Sequence, residues 1–404
     1  MAWRITLHRR DFGSFARPSD TGIAELTTAR SRRLELAAND AAKLTFTVDG
    51  RSPAAAYVQE LTTEAIAWRW DPALGRDVQM FRGIVVASDD AVSETAHSVN
   101  FTAMDYLQIL RGRFLTSPAD LVYTQQDQDA IVRDLVSRGS NVTSGNGATS
   151  FSPGSRIPLA VYAANPDGTQ RTADSGTKRD RTYTGQTSIG EAITNLAAVD
   201  GGFDVDVWPA SDTWGTDYLR VWFPSRGVAR TDVALAYGST VSAFTRNVSV
   251  SDYANYVRVI GDSGGAATQL YADRWNTDAN NVGVTPVGLW MAGYNESDVN
   301  QQATLNEKAQ GDLNVSGVLV PSYTLTLRPG WFRPGYPNIG DTVPLVLASG
   351  RLQVSTTVRV LGINYAPLDD GDGEDVEIVV GRPPLTLDAL FRRSRRDINA
   401  LARR

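Results

Sequence analysis

Residues 3–8 read Trp3-Arg4-Ile5-Thr6-Leu7-His8, with Trp3, Ile5 and Leu7 on one side and Arg4, Thr6 and His8 on the other. A two-residue period is that of a strand with one buried face. Working outward, the period recurs at Leu34 and Leu36, at Leu44, Phe46 and Val48, at Ile66, Trp68 and Trp70, and at Val99, Phe101 and Ala103. Asp49-Gly50, Pro53, Asp71-Pro72 and Gly75 supply turn chemistry between these runs. The pattern predicts an antiparallel β domain over 1–115.

Beyond Ser117-Pro118 the period changes. Thr124 stands three residues before Asp127, and Ile131, Val132, Leu135 and Val136 follow at helical spacing. Ser188 and Glu191 form a second capping pair ahead of Ile189, Ala192, Ile193, Leu196 and Ala197, and Gly201-Gly202 stops that helix. Strand patterns follow at Phe203, Val205 and Val207 and at Tyr218 to Phe223. Residues 116–250 therefore read as an α+β insertion, in which the Ser/Gly/Asn/Thr-rich stretch 139–185 is expected to be a long exposed excursion. A second β-rich region is expected over 251–384, carrying a polar helix at 297–310. Its strand patterns lie at Val257 to Ile260, Tyr323 to Leu327, Val343 to Leu347, Val358 to Tyr365 and Val376 to Val380. Residues 385–404 have no Gly or Pro and place Leu387, Leu390, Phe391, Ile398 and Leu401 along one stripe among arginines. They predict an amphipathic helix whose stripe contacts a partner or another copy of the chain. The fold class is mainly β with α+β insertions.

The chain has 404 residues, long enough for two or three domains. Its 39 Lys and Arg against 45 Asp and Glu leave a net charge of −6, which disfavours nucleic-acid binding. Cysteine is absent, so disulfides, thiolate metal sites and Cys nucleophiles are excluded. No signal-peptide pattern or long apolar run is found, so a soluble chain without an export signal or membrane anchor is expected.

Local motifs offer little chemistry. Gly261-Asp262-Ser263-Gly264-Gly265 resembles the nucleophile loop of chymotrypsin-like serine proteases, with His97 as the histidine, and makes a serine-type hydrolase the alternative reading. Asp105 is only eight residues past His97, Ala266 replaces the usual proline, and a Gly/Ser/Asp cluster after a strand is ordinary turn chemistry. Asp369-Asp370-Gly371-Asp372-Gly373-Glu374-Asp375 could gather oxygens around calcium, but it lacks the glycine and bidentate acid of a helix-flanked calcium loop and fits a hairpin turn. His8 and His97 make no metal site on their own. Trp3, Trp68, Trp70 and Trp222 lie in strands and are expected in cores. Trp275, Trp290 and Trp331 lie in looser segments, where exposed indoles would suit a carbohydrate-binding adhesion module. No catalytic residue, cofactor or metal ligand is expected.

Several segments, in order, resemble the tail hub proteins of long-tailed bacteriophages, especially minor tail proteins of phages infecting actinobacteria. They are Leu34-Glu35-Leu36 with Leu44-Thr45-Phe46, Phe81-Arg82-Gly83-Ile84-Val85, and residues 97–107 (HSVNFTAMDYL) leading to Arg111-Gly112-Arg113. Further along come residues 183–192 (YTGQTSIGEA), Gly202-Phe203-Asp204-Val205, residues 252–259 (DYANYVRV), Leu327-Arg328-Pro329-Gly330 and Ile339-Gly340-Asp341-Thr342-Val343. The resemblance implies two β-barrel-like hub domains flanking the α+β region. It also implies a homotrimer whose six related domains join a sixfold tail tube to threefold tip parts and line the DNA exit path. Implied partners are a distal tail protein ring, a tape-measure protein and a separate fibre or receptor-binding protein. The place implied is the virion tail tip, assembled in the host cytoplasm, with DNA passing without specific binding.

Overall fold

The computed structural model describes residues 3–9, 22–72, 74–116, 119–140, 157, 159–199, 201–209, 217–248, 250, 253–262, 269–276, 288–296, 299, 301–317, 321–330, 337–369 and 373–381. The N-terminal region contains β1 (Trp3–Arg9), β2 (Gly22–Glu25), β3 (Arg30–Ala37), β4 (Lys43–Asp49), α1 (Pro53–Tyr57), β5 (Thr63–Asp71), β6 (Arg76–Val92) and β7 (His97–Met104). The α+β insertion contains α2 (Tyr106–Arg111), β8 (Leu121–Asp127), α3 (Gln128–Ser140), β9 (Leu159–Ala164), β10 (Lys178–Tyr183), α4 (Ile189–Ala197), β11 (Asp204–Trp208) and β12 (Asp217–Trp222). The remainder contains β13 (Leu235–Ala236), β14 (Val241–Asn247), β15 (Tyr256–Gly261), β16 (Tyr271–Trp275), β17 (Met291–Glu296), α5 (Gln302–Ser316), β18 (Ser322–Leu327), β19 (Thr342–Ser349), β20 (Leu352–Pro367) and β21 (Glu374–Gly381). The chain is mainly β, as the alternating patterns predict.

The two β-rich ends are continuous. One sheet runs β14-β18-β21-β20-β3-β4-β7-β6-β5-β1-β2, with β19 paired to β20 and β13 to β19. No closed barrel is found among the described residues. The ends meet where β3 pairs antiparallel with β20, Leu34 opposite Tyr365 and Leu36 opposite Ile363. Phe46, Phe81 and Phe101 from one end share a single core with Leu325, Tyr365 and Ile378 from the other.

The two ends also follow one strand plan. The first part of β6 pairs with β5 before it and the rest with β7 after it, and β7 pairs back to β4. Likewise the first part of β20 pairs with β19, the rest with β21, and β21 pairs back to β18. Each long strand carries one extra residue just before the shared position, Val86 in β6 and Leu361 in β20, so the register steps from Val85↔Ala103 to Ala87↔Thr102 and from Val360↔Val380 to Gly362↔Val379. A bulge bends its strand and raises the local twist, which lets one strand leave one neighbour for another. Finally, β3 flanks β4 as β14 flanks β18.

The insertion has its own core, in which α2, α3 and α4 bring Leu107, Leu110, Ile131, Leu135 and Ile193 against Val205 and Leu219. A third core lies where α5 covers β15 and β16, with Val257, Val259, Leu305 and Ala309.

Several expectations change. The stretch 139–185 is not simply an exposed excursion: β9 pairs parallel with β12, β10 pairs with β8, and Leu159, Arg179 and Tyr183 are buried. The region expected from 251 is interrupted, because β13 and β14 already belong to the large sheet while β15, β16, β17 and α5 form a separate unit. The helix expected at 297–310 runs Gln302–Ser316, with Gly311 buried inside it rather than ending it. Thr124 lies in β8, and the first turn of α3 is capped by Asp127, whose Oδ1 accepts from Asp129 N at 2.9 Å. Trp70 is exposed and Trp68 half-buried, whereas Arg69 takes the core-side position at 1% exposure. The predicted helix over 385–404, with Leu387, Leu390, Phe391, Ile398 and Leu401, lies outside the described residues.

Candidate assembly surface

Of the two residues named for a serine-type hydrolase, only His97 is among the described residues. His97 sits at the start of β7, and its Nε2 lies 2.7 Å from Oδ1 of Asp90 on the neighbouring strand β6. Ser263 and Trp331 lie outside the described residues. Of the acidic stretch, Asp369 accepts from Ser31 N at 3.0 Å, and Glu374 accepts from Trp3 Nε1 at 2.7 Å and from the buried Arg69. Both carboxylates are thus engaged by the N-terminal strands. Asp127, Asp129 and Asp174 also converge, within 4.8 Å. Arg171 stands 2.7 Å from Asp129 and Arg133 2.6 Å from Asp174, while Ser175 and Gly176 donate to Asp127. Protein groups already meet this cluster, which ties the 171–176 segment to α3.

Charged clamps fix the halves and the insertion to one another. Between the halves, Arg69 on β5 pairs with Glu374 on β21 and lies over the Tyr365 ring. Between the insertion and the N-terminal sheet, Arg82 reaches both Glu64, at 3.1 Å, and Asp217, at 3.4 Å, and Tyr106 donates to Glu64 at 2.7 Å. Burial pulls the Arg82 guanidinium down, but the adjacent Tyr106 phenol and the carboxylates of Glu64 and Asp217 outweigh it, and its pKa lies above the usual value. Between the insertion and the C-terminal strands, Asp204 meets Arg359 and also accepts from the Arg226 backbone N–H, while beside it Asp206 meets Arg226 at 2.8 Å and Arg220 of β12. Burial pushes the Asp206 carboxyl up, yet Arg226 and Arg220 hold it below the ordinary carboxylate range. Such pairs cost much desolvation and add little net stability, but they penalise any other arrangement.

Among the described residues, the open edges of the large sheet include two that carry charge. One is β14, which pairs only with β18 and exposes Ala243, Thr245, Arg246 and Asn247. The other is β6 beyond the bulge, where residues 87–92 are exposed and pair only with β7. Sequence reading missed both. The β14 run lacks clear alternation, and residues 86–92 look like a loop unless the bulge is recognised. A separate exposed patch on the β15 sheet holds Tyr271, Trp275, Trp290 and Met291, between 44% and 66% exposed. Trp275 stacks on Tyr256 with ring centroids 6.4 Å apart. No helix among the described residues is long and apolar enough to cross a membrane.

This sheet with its insertion is a fold found in tail proteins of phages and prophages. No protein-family model matches the chain, and no curated protein matches it in sequence. Among solved structures, a tail protein from Neisseria meningitidis MC58 superposes with a TM-score of 0.54 at 11% identity, over 95% of this chain and 97% of that one. The 43 kDa tail protein of prophage MuSo2 from Shewanella oneidensis gives 0.53 at 14% identity, over 94% and 98%. Prophage tail protein gp18 from Listeria monocytogenes EGD-e gives 0.52 at 12%, over 97% and 98%. At these identities the likeness is one of fold, over nearly the full length of each chain.

Proposed function

We propose that this chain is a structural, non-enzymatic hub of a phage tail tip or baseplate, acting as a homotrimer in which two related halves per chain give six near-equivalent faces. The observation that carries this reading is the strand plan shared by β4–β7 and β18–β21, with a bulge at the same place in each long strand. A sixfold tube and a threefold tip differ in symmetry, and a subunit with two similar docking faces reconciles them. The full-length likeness of fold to tail proteins supports the setting. On this reading each half contributes a barrel-like module to a ring, and the ring lines the DNA path. The distal tail protein ring and the tape-measure protein lie on one side, and a separate fibre or receptor-binding protein lies on the other. Leu387, Leu390, Phe391, Ile398 and Leu401 would bundle on the threefold axis or hold that fibre protein. The place is the virion tail tip, assembled in the host cytoplasm.

Immunogold labelling of intact particles tests the location: label at the tail end distal to the head is expected, and label elsewhere or none contradicts it. The exposed Tyr271, Trp275, Trp290 and Met291 patch favours a second role, adhesion to host-wall glycans. It predicts that the isolated chain sediments with purified wall glycan and that Trp275→Ala with Trp290→Ala abolishes this.

A further inference from the structure

The two halves share a plan but differ in what covers their edges. In the N-terminal half the outer strand β3 is covered by the second part of β20, with Leu34↔Tyr365, Glu35↔Asn364, Leu36↔Ile363 and Ala37↔Gly362. The equivalent outer strand of the other half is β14, and the equivalent of that covering segment is residues 86–92 of β6. Both are open edges among the described residues. The common bulge equates Val86 with Leu361, and so Asp89 with Asn364 and Asp90 with Tyr365. Through β7 and β21, Leu44 (opposite Ala103) corresponds to Tyr323 (opposite Val380). Leu34 lies opposite Leu44 and Arg246 opposite Tyr323, so Arg246 corresponds to Leu34 and Asn247 to Glu35.

Resting on the threefold reading above, we infer that β14 of one copy adds antiparallel to residues 86–92 of β6 in a second copy, with Arg246 opposite Asp90 and Asn247 opposite Asp89. The junction between copies repeats the β3·β20 junction within the chain, residue for residue. Charge fits it. Asp89 and Asp90 line one edge and Arg246 the other, so this pairing brings opposite charges together, whereas pairing either edge with itself gathers charges of one sign. Where the internal junction is apolar, Leu34 against Tyr365, the external one is charged, as suits edges that must stay soluble before assembly. Asp90 meets His97 of β7 at 2.7 Å and its side chain stays 55% exposed. One chain cannot make the pair itself while its sheet stays open, because seven strand steps of about 4.8 Å separate the edges along the sheet, roughly 34 Å. Copies joined in a closed ring leave neither edge exposed.

The chain has no cysteine, so an introduced pair reports cleanly. Asp90→Cys with Arg246→Cys, in the full-length protein under mild oxidation, should give a disulfide-linked trimer on non-reducing gels. Each single variant should stay uncrosslinked, as should the shifted pair Asp90→Cys with Ser242→Cys. In parallel, Asp90→Arg or Arg246→Asp alone should weaken trimer formation about tenfold or more, and the double exchange should restore it. Circular dichroism confirms that each variant is folded. A trimer by light scattering that forms no disulfide, or crosslinks equally in the shifted register, overturns this junction and leaves the threefold reading standing. A chain that is neither trimeric in solution nor crosslinked in assembled tips overturns both.

Discussion

Arg69 on β5 and Glu374 on β21 are 305 residues apart and form an ion pair in which the two side chains are 1% and 9% exposed. Trp3 donates its indole N–H to the same carboxylate at 2.7 Å, so three strands from opposite ends of the chain converge on one charge. Removing one member strands the other in the core. Glu374→Ala should therefore cost about 3–5 kcal/mol, while Arg69→Met with Glu374→Leu should cost much less or nothing. Urea unfolding midpoints of the wild type and these two variants check this, and equal loss in the single and double variants contradicts it.

Gly227 and Gly340 have φ of 95° and 90°, and a Cβ at Gly227 would sit 2.0 Å from the carbonyl carbon of Gly340. Here the insertion returns to the large sheet with two backbones in contact. Gly227→Ala should destabilise by at least about 2 kcal/mol through clash and strain together. Gly238, with φ of 86° and open space around it, should lose only about 1 kcal/mol as alanine. Thermal melts that rank the two variants the other way would show that the contact is not rigid.

Burial pulls the His8 pKa down to about 4 from 6.5, with Glu64 raising it and Arg82 lowering it further. The folded state then binds fewer protons than the unfolded state between these values. The contribution is complete above pH 6.5 and is lost as pH falls toward 4. His8→Gln, which can keep a polar contact to Thr6, should flatten the stability profile over that window by about 1–3 kcal/mol relative to wild type. Parallel profiles for the two proteins would refute the assignment.

Leu390→Asp with Leu401→Asp should lower recovery of tail tips while leaving the unfolding transition of the sheet unchanged. Electron microscopy and pelleting of tips measure it, and normal assembly of the double variant removes the C-terminal stripe from the account.

Much of the sheet was legible because its strands alternate. Ile5 and Leu7, then Leu44, Phe46 and Val48, all face the core as their spacing predicts. The cap of α4 was legible too, with Ser188 Oγ accepting from Glu191 N at 3.3 Å. Arg69 shows where local reading fails: parity placed Trp68 and Trp70 inside, but Ala65, Ala67 and Arg69 face the core because Glu374, far along the chain, neutralises the guanidinium. β8 escapes local reading because Val122 is exposed and its one strand partner among the described residues is β10, far along the chain. The candidate assembly edges were hidden for a related reason. An open edge carries charges rather than an apolar stripe, and its meaning comes from the equivalent pair Leu34 and Tyr365 in the other half.

The most direct measurement of the central claim is the copy number and symmetry of this chain in intact tail tips by cryo-electron microscopy. Three copies are expected, with their six halves at near-equal angular spacing beneath the sixfold tube and β14 of each copy beside β6 of the next. Six copies in true sixfold symmetry, or any number that is not a multiple of three, would contradict it.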